Sequence, residues 1–141
     1  MKVLYLTQDK YDDLCADWAK VLAHWSRLST GAPKEGESVG WPDCIFCLKF
    51  NNLAPNVPVN GCQGCPIEAI TGKSGCMESP HTDVMRTFRR VYHEARRPRE
   101  TNEQHSARVM TNFEFKAKAL IELNWLEAAF KKWKENVKIV T

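Results

Sequence analysis

The sequence predicts a mainly α-helical domain with a small, loop-rich, cysteine-bearing module set into it. Three observations lead there. Apolar residues recur at three- and four-residue spacing over roughly 8–28, 81–97 and 102–136. Five of the six cysteines fall in the 33 residues from Cys44 to Cys76. Between the helical patterns, Gly, Pro and Asn interrupt the chain so often that no long regular element survives. At 141 residues the chain suits a single domain, 1–141, divided into an N-terminal helix (1–30), the cysteine module (41–80) and C-terminal helices (81–136).

The elements follow in order. KVLYL at 2–6 reads as a short strand or a lead-in to the first helix. From Gln8 the residues Tyr11, Leu14, Cys15, Trp18, Val21, Leu22, Trp25 and Leu28 form one apolar face. Thr7 is its N-cap, without a capping box because Lys10 stands where Glu is needed. Asp9, Asp12 and Asp13 suit the positive end of the helix dipole, and Gly31 with Pro33 ends it. Residues 29–43 then form a loop with three Gly and two Pro, and 48–61 hold four Asn and two Pro. Pro66 opens a short helix to Thr71, stopped by Gly72. Ser79 caps and Pro80 opens the helix at 81–97, whose apolar stripe is Val84, Met85, Phe88, Val91, Tyr92 and Ala95. Pro98 closes it. The last pattern, 102–136, exceeds the usual helix length, with a candidate break at Thr111 or Asn112, and the tail VKIVT reads as a strand. The helices are expected to pack through Trp18, Trp25, Phe88, Tyr92, Phe113, Leu120, Trp125 and Phe130.

Composition excludes some classes. No stretch approaches the about 20 apolar residues needed to cross a bilayer, so a membrane-spanning protein is not expected. The first ten residues do not resemble a signal peptide, which points to a reducing, cytoplasmic compartment and away from a disulfide framework. Net charge is only +3, but the positive excess lies in the C-terminal half: residues 80–100 hold six Arg against three acids.

Cys44-Ile-Phe-Cys47 and Cys62-Gln-Gly-Cys65 are two CxxC units with 14 residues between them. Each unit puts two thiolates on one tight turn, and two such turns close a tetrahedron around one ion, the geometry structural zinc prefers. Gly61 and Gly64 suit such knuckles. The module is therefore expected to be zinc-ribbon or knuckle-like, with Zn2+ held by Cys44, Cys47, Cys62 and Cys65. Cys76 is the alternative fourth ligand, joining Cys62, Cys65 and one member of the first pair. Because proline follows Cys65, an iron–sulfur cluster is the alternative cofactor.

Four thiolates leave no open coordination position, so the site reads as structural. A catalytic zinc would have to recruit His81 with Glu68 or Glu78. No His-x-Glu precedes a CxxC, which excludes the deaminase signature. No GxSxG exists, and Gly72-Lys73-Ser74 lacks the upstream glycine of a phosphate-binding loop. No catalytic residue is assigned.

The run Cys62-x2-Cys65-Pro66-Ile67-x3-Thr71-Gly72-x3-Cys76-x2-Ser79-Pro80, with its upstream CxxC and helical tail, resembles a motif of small, mostly uncharacterised bacteriophage proteins. The resemblance spans about residues 15–130 in the order of elements and is specific over 44–80. It implies a phage origin, action inside a bacterial host cell, and a turn between metal ligands shaped by Thr71 and Gly72. The related proteins usually have Thr-Pro followed by an aromatic residue, where this chain has Ser79-Pro80-His81.

Arg86, Arg89, Arg90, His93 and Arg97 share one face of the helix at 81–97, opposite Val84, Phe88 and Val91. Such a row suits phosphate contacts, or an acidic protein surface. The plain alternative is a solvated face partly paired with the acids of the first helix. His24, His93 and His105 show no ligand spacing and read as surface or partly buried side chains. The functional expectation is a non-enzymatic binding protein contacting nucleic acid. The alternative is an inhibitor or adaptor of a bacterial host protein.

Overall fold

The computed structural model describes residues 3–39, 45–50, 65–72, 79–94 and 97–141, without the side chains of Cys47, Leu48 and Phe50. The described elements run β1 (Leu4–Leu6), α1 (Gln8–Thr30), α2 (Ile45–Phe50), α3 (Pro66–Thr71), α4 (His81–Glu94), α5 (Asn102–Val109), α6 (Phe113–Glu135) and β2 (Val137–Ile139). The protein is mainly helical, as the periodicity predicts. None of these helices is long and apolar enough to cross a membrane.

Helix α1 begins where its cap chemistry places it: the Thr7 hydroxyl accepts from the Lys10 N–H. It ends at Gly31, whose φ of 72° lets the cap N–H reach the carbonyls of Arg27 and Leu28. A Cβ at Gly31 would also lie 2.8 Å from Cδ of Lys116, a flexible neighbour that can move aside. The backbone is therefore the main cost, and Gly31→Ala is expected to lose about 1–2 kcal/mol in urea denaturation.

The face Leu14, Trp18, Val21, Trp25 and Leu28 is buried along α6. Trp18 is 0 % exposed and stacks on Phe130 at 5.0 Å, with Phe46 of α2 edge-on at 4.9 Å. Tyr11 stacks on Trp133 at 5.7 Å. From α6 the core takes Phe115, Ala119, Leu123, Leu126, Ala129 and Trp133. Two expected core residues point elsewhere: Phe113 is 84 % and Leu120 47 % exposed. Helix α6 is apolar on both faces, so its period alone does not say which face packs. Once Phe115, Leu126 and Trp133 meet α1, Phe113 and Leu120 are carried to the outside.

The long C-terminal pattern divides at the expected point. Asn112 takes an extended conformation and its side chain accepts from the Phe115 N–H, starting α6 anew. Helix α5 opens with a reciprocal capping box between Thr101 and Gln104. Helix α4 is described from His81 to Glu94; residues 95–96, with Ala95 of the expected apolar stripe, lie outside the described residues, and Arg97 is not helical, so the expected 81–97 does not reach its end. Both terminal segments are strands, and they pair with each other in parallel, Leu4 opposite Val137 and Leu6 opposite Ile139. Leu4, Leu6 and Val137 seat this ribbon on the core.

Candidate metal centre and basic helix

Two short helices carry the described part of the cysteine module, and both are anchored on the helical body. Helix α2, which contains Cys47, sets Phe46 against Trp18. On the same helix Lys49 Nζ lies 2.7 Å from the carboxylate of Asp17, an acid otherwise buried in α1. Asp13 adds a second contact at 3.4 Å, and the two carboxylates hold the Lys49 ammonium above its usual range. Helix α3 packs on α6, with Ile67 buried. Its N-cap is Cys65, itself buried, and Pro66 occupies the first turn as expected.

Cys44, Cys62 and Cys76 and the side chain of Cys47 lie outside the described residues. Among the described residues no three His, Cys, Asp or Glu side chains gather as metal ligands. Of the five clustered cysteines only Cys65 has its side chain described, a soft sulfur donor of the kind zinc takes, on a buried turn. Nearby, one turn from Cys65, Glu68 Oε2 is buried with no hydrogen-bond partner among the described residues.

Another charged cluster stands at the entrance to the module. Glu37 leaves the Gly/Pro-rich loop after α1 and turns inward, its side chain only 3 % exposed. His24 Nδ1 donates to Oε2 at 2.5 Å. Arg27 grips both oxygens, with Nε 3.0 Å from Oε1 and the terminal nitrogen 2.7 Å from Oε2. The Lys34 backbone N–H donates to Oε1 at 2.8 Å. Burial pushes the carboxyl up, but the guanidinium, this N–H and His24 together outweigh it and bring Glu37 down to about 2. Edge-on to Trp25 at 5.8 Å lies His81, pushed below its usual value by burial, against a hydrogen bond with the backbone of Val39 and with a further lowering from His24. The cluster thus ties α1, the chain entering the module and the chain leaving it. Sequence reasoning missed it and read His24 as a surface or partly buried side chain. The i, i+3 spacing of His24 and Arg27 was the one available signal, and nothing local pointed to Glu37 as their acceptor.

His105 is buried too, donating from Nε2 to the Tyr92 carbonyl at 2.6 Å and accepting from Arg108 at Nδ1. Arg108 in turn holds Glu100 at 2.8 Å. These contacts tie the end of α4 at Tyr92, through His105 and Arg108 of α5, to Glu100.

The outer face of α4 matches the expected basic row in part. Arg86, Arg89, Arg90 and His93 are exposed, while Val84, Thr87 and Val91 are buried opposite. The counter-charges come from α4 and α6, where acids of the first helix were expected: Arg90 contacts Glu94 at 3.1 Å and also bonds Glu114. Asp83 is held by Lys118 at 2.8 Å. Arg97 is exposed on the turn that follows, with Glu100 near it.

Comparison with protein-family models, with curated proteins and with solved structures found no match.

Proposed function

We propose that this chain is a non-enzymatic, zinc-stabilised binding protein that acts on a bacterial host protein, as an inhibitor or adaptor, through the arginine face of α4. The phage-like cysteine motif supports the host setting. One observation carries the preference for a protein partner over nucleic acid. Arg90 is already committed to Glu94 and Glu114, so among the described residues α4 leaves only Arg86 and Arg89 as arginines without a side-chain partner. Two phosphate contacts give a salt slope near −2 and weak affinity for a duplex, since each contact contributes about 0.9 to that slope. On an acidic protein surface, two arginines at the edge of an apolar contact are enough to steer and orient.

Nucleic-acid binding through Arg86, Arg89, Arg90 and Arg97 is the second reading, favoured by Arg97 and Arg99 standing exposed just beyond the helix. Capture from a bacterial lysate, run beside a salt-series shift assay on duplex and single-stranded DNA, separates the two. The expected result is one host protein retained in stoichiometric amount and lost with R86E/R89E, with no steep salt-dependent retention of either nucleic acid. Tight DNA binding that falls several-fold between low and physiological salt and disappears in R86E/R89E would establish the second reading instead.

A further inference from the structure

Beside the arginine row runs an apolar one. Along α6, Phe113, Ala117, Leu120, Ile121, Asn124 and Ala128 are all exposed, and at 3.6 residues per turn they share one face. Phe113 is 84 %, Leu120 47 % and Ile121 50 % exposed. A row of large apolar side chains on the surface of a small domain marks an interaction site. From Phe113 to Ala128 it extends about 22 Å, roughly four turns.

The ion pairs Arg90–Glu114 and Asp83–Lys118 hold α4 and α6 side by side next to this row. Lys118 balances Asp83, while the single charge of Arg90 is shared between Glu94 and Glu114 and leaves one carboxylate charge over. Arg86 and Arg89 remain without a side-chain partner among the described residues, and exposed Lys131 lies one turn beyond Ala128 on the α6 face. Exposed Glu127 also borders the row on α6, against exposed Lys131 and Lys132, so the charge left around it is a small positive excess carried by Arg86, Arg89 and these lysines. Docking a second copy there would bring like-charged arginines to a single interface, a costly arrangement. A phosphate backbone would make no use of Phe113, Leu120 and Ile121.

We infer that the α4–α6 face receives an acidic amphipathic helix of a partner protein, about four turns long, laying its apolar side on Phe113, Leu120 and Ile121 and its carboxylates against Arg86 and Arg89. The inference rests on the reading of the chain as a host-protein binder and names the element that binder recognises. The mode is helix-in-groove recognition, in which apolar anchors at i, i+3, i+4 and i+7 meet the apolar row. It adds one more helix to a packed set, at the crossing geometry of ordinary helix pairs.

The test uses the full-length protein and two labelled synthetic peptides of equal composition. One places leucines at i, i+3, i+4 and i+7 with glutamates on both flanks; the other scatters the same residues. A short DNA duplex is titrated in parallel. The amphipathic peptide is expected to bind at least about tenfold more tightly than the scattered one. L120S/I121S is expected to weaken it about tenfold at all salt concentrations, whereas R86E/R89E weakens it and removes or reverses the fall of binding with rising salt. All four positions are exposed, so thermal melts of the variants should overlay that of the parent. Equal binding of the two peptides, or an L120S/I121S protein that binds as the parent does, overturns the helix inference and leaves the arginine-mediated binder standing. Failure of both peptides with salt-sensitive binding of the duplex removes the host-protein reading as well. A parent dimer in sedimentation that L120S/I121S dissociates would assign the row to a second copy and overturn the inference.

Discussion

Replacing Glu37 by alanine is expected to destabilise the protein by about 3–5 kcal/mol, as for other buried ion pairs broken from one side. The loss is large because of what stays behind. His24, whose side chain is 4 % exposed, would lose the acceptor of its Nδ1, and Arg27 would lose both carboxylate oxygens of its bidentate contact. The Lys34 N–H would lose its partner too. Glu37→Gln keeps the shape and an acceptor, so a smaller loss of about 1–3 kcal/mol is expected. Equilibrium urea denaturation at neutral pH measures both.

The same carboxylate sets an acid limb of stability. Its ordinary value is 4.5 and in the fold it is about 2, so the native state binds fewer protons between these values than the unfolded chain. Its contribution is complete above about pH 4.5 and is lost as pH falls toward 2; a shift of this size corresponds to about 3 kcal/mol. His81 acts earlier. Burial lowers its imidazole below 6.5, so its share is present above that pH and declines as pH falls below it. Thiolate ligands of the proposed zinc site would also take up protons in acid, so the informative quantity is the difference between parent and E37Q. That difference should be constant from neutral pH to about 4.5 and shrink below it. A constant difference down to pH 2.5 would show that the carboxylate is not held ionised by its neighbours.

How much of this was legible in the sequence depends on how local each signal is. Helix α1 was readable from Thr7 to Gly31, because its cap, its dipole-matched acids and the Trp18–Trp25 stripe all lie within one stretch. Helix α3 was readable from Pro66 and Gly72 for the same reason. The orientation of α6 was not readable. Phe113, Leu120 and Ile121 satisfy the helical period as well as Phe115, Leu126 and Trp133 do, and only contact with α1 decides between the faces. The C-terminal segment was readable as a strand and residues 2–6 only as a strand or a lead-in to α1, and their union joins Leu4 to Val137 across nearly the whole chain with no turn between them to announce it. Short helix α2 escaped notice because six residues carry too little periodicity, and it is held by distant partners, Trp18 and Asp17. Glu37 was hidden for a related reason: its partners lie 10 and 13 residues back, on a helix whose pattern makes no reference to the loop.

The protein is expected to carry one zinc ion per chain, and removing it should release the module while leaving much of the helical body folded. Structural zinc in small thiolate sites contributes on the order of 10–16 kcal/mol of apparent binding energy, which in those peptides is folding energy. Here the body has a core of its own in Trp18, Leu28, Phe115, Leu126 and Trp133, so it does not depend on the ion to the same degree. Helices α2 and α3 differ, since each has only six residues and too few turns to persist alone. A chelator should therefore free Phe46 from the edge of Trp18 and expose that indole, seen as a red shift in tryptophan fluorescence with only a modest loss of helical signal. Thiol titration should report most of the clustered cysteines protected before chelation and reactive after it. Cys65→Ser should reproduce the chelated state, because Cys65 sits at the buried start of α3 and belongs to both of the expected ligand sets. Among Cys44, Cys47, Cys62 and Cys76, the one whose serine variant retains full zinc is the spare thiol. Iron and acid-labile sulfide with visible absorbance would assign the cluster cofactor instead. A metal-free protein whose fluorescence ignores the chelator would remove the ion from the account of 41–80, and the anchoring of α2 and α3 would then have to come from Phe46, Lys49 and Ile67 alone.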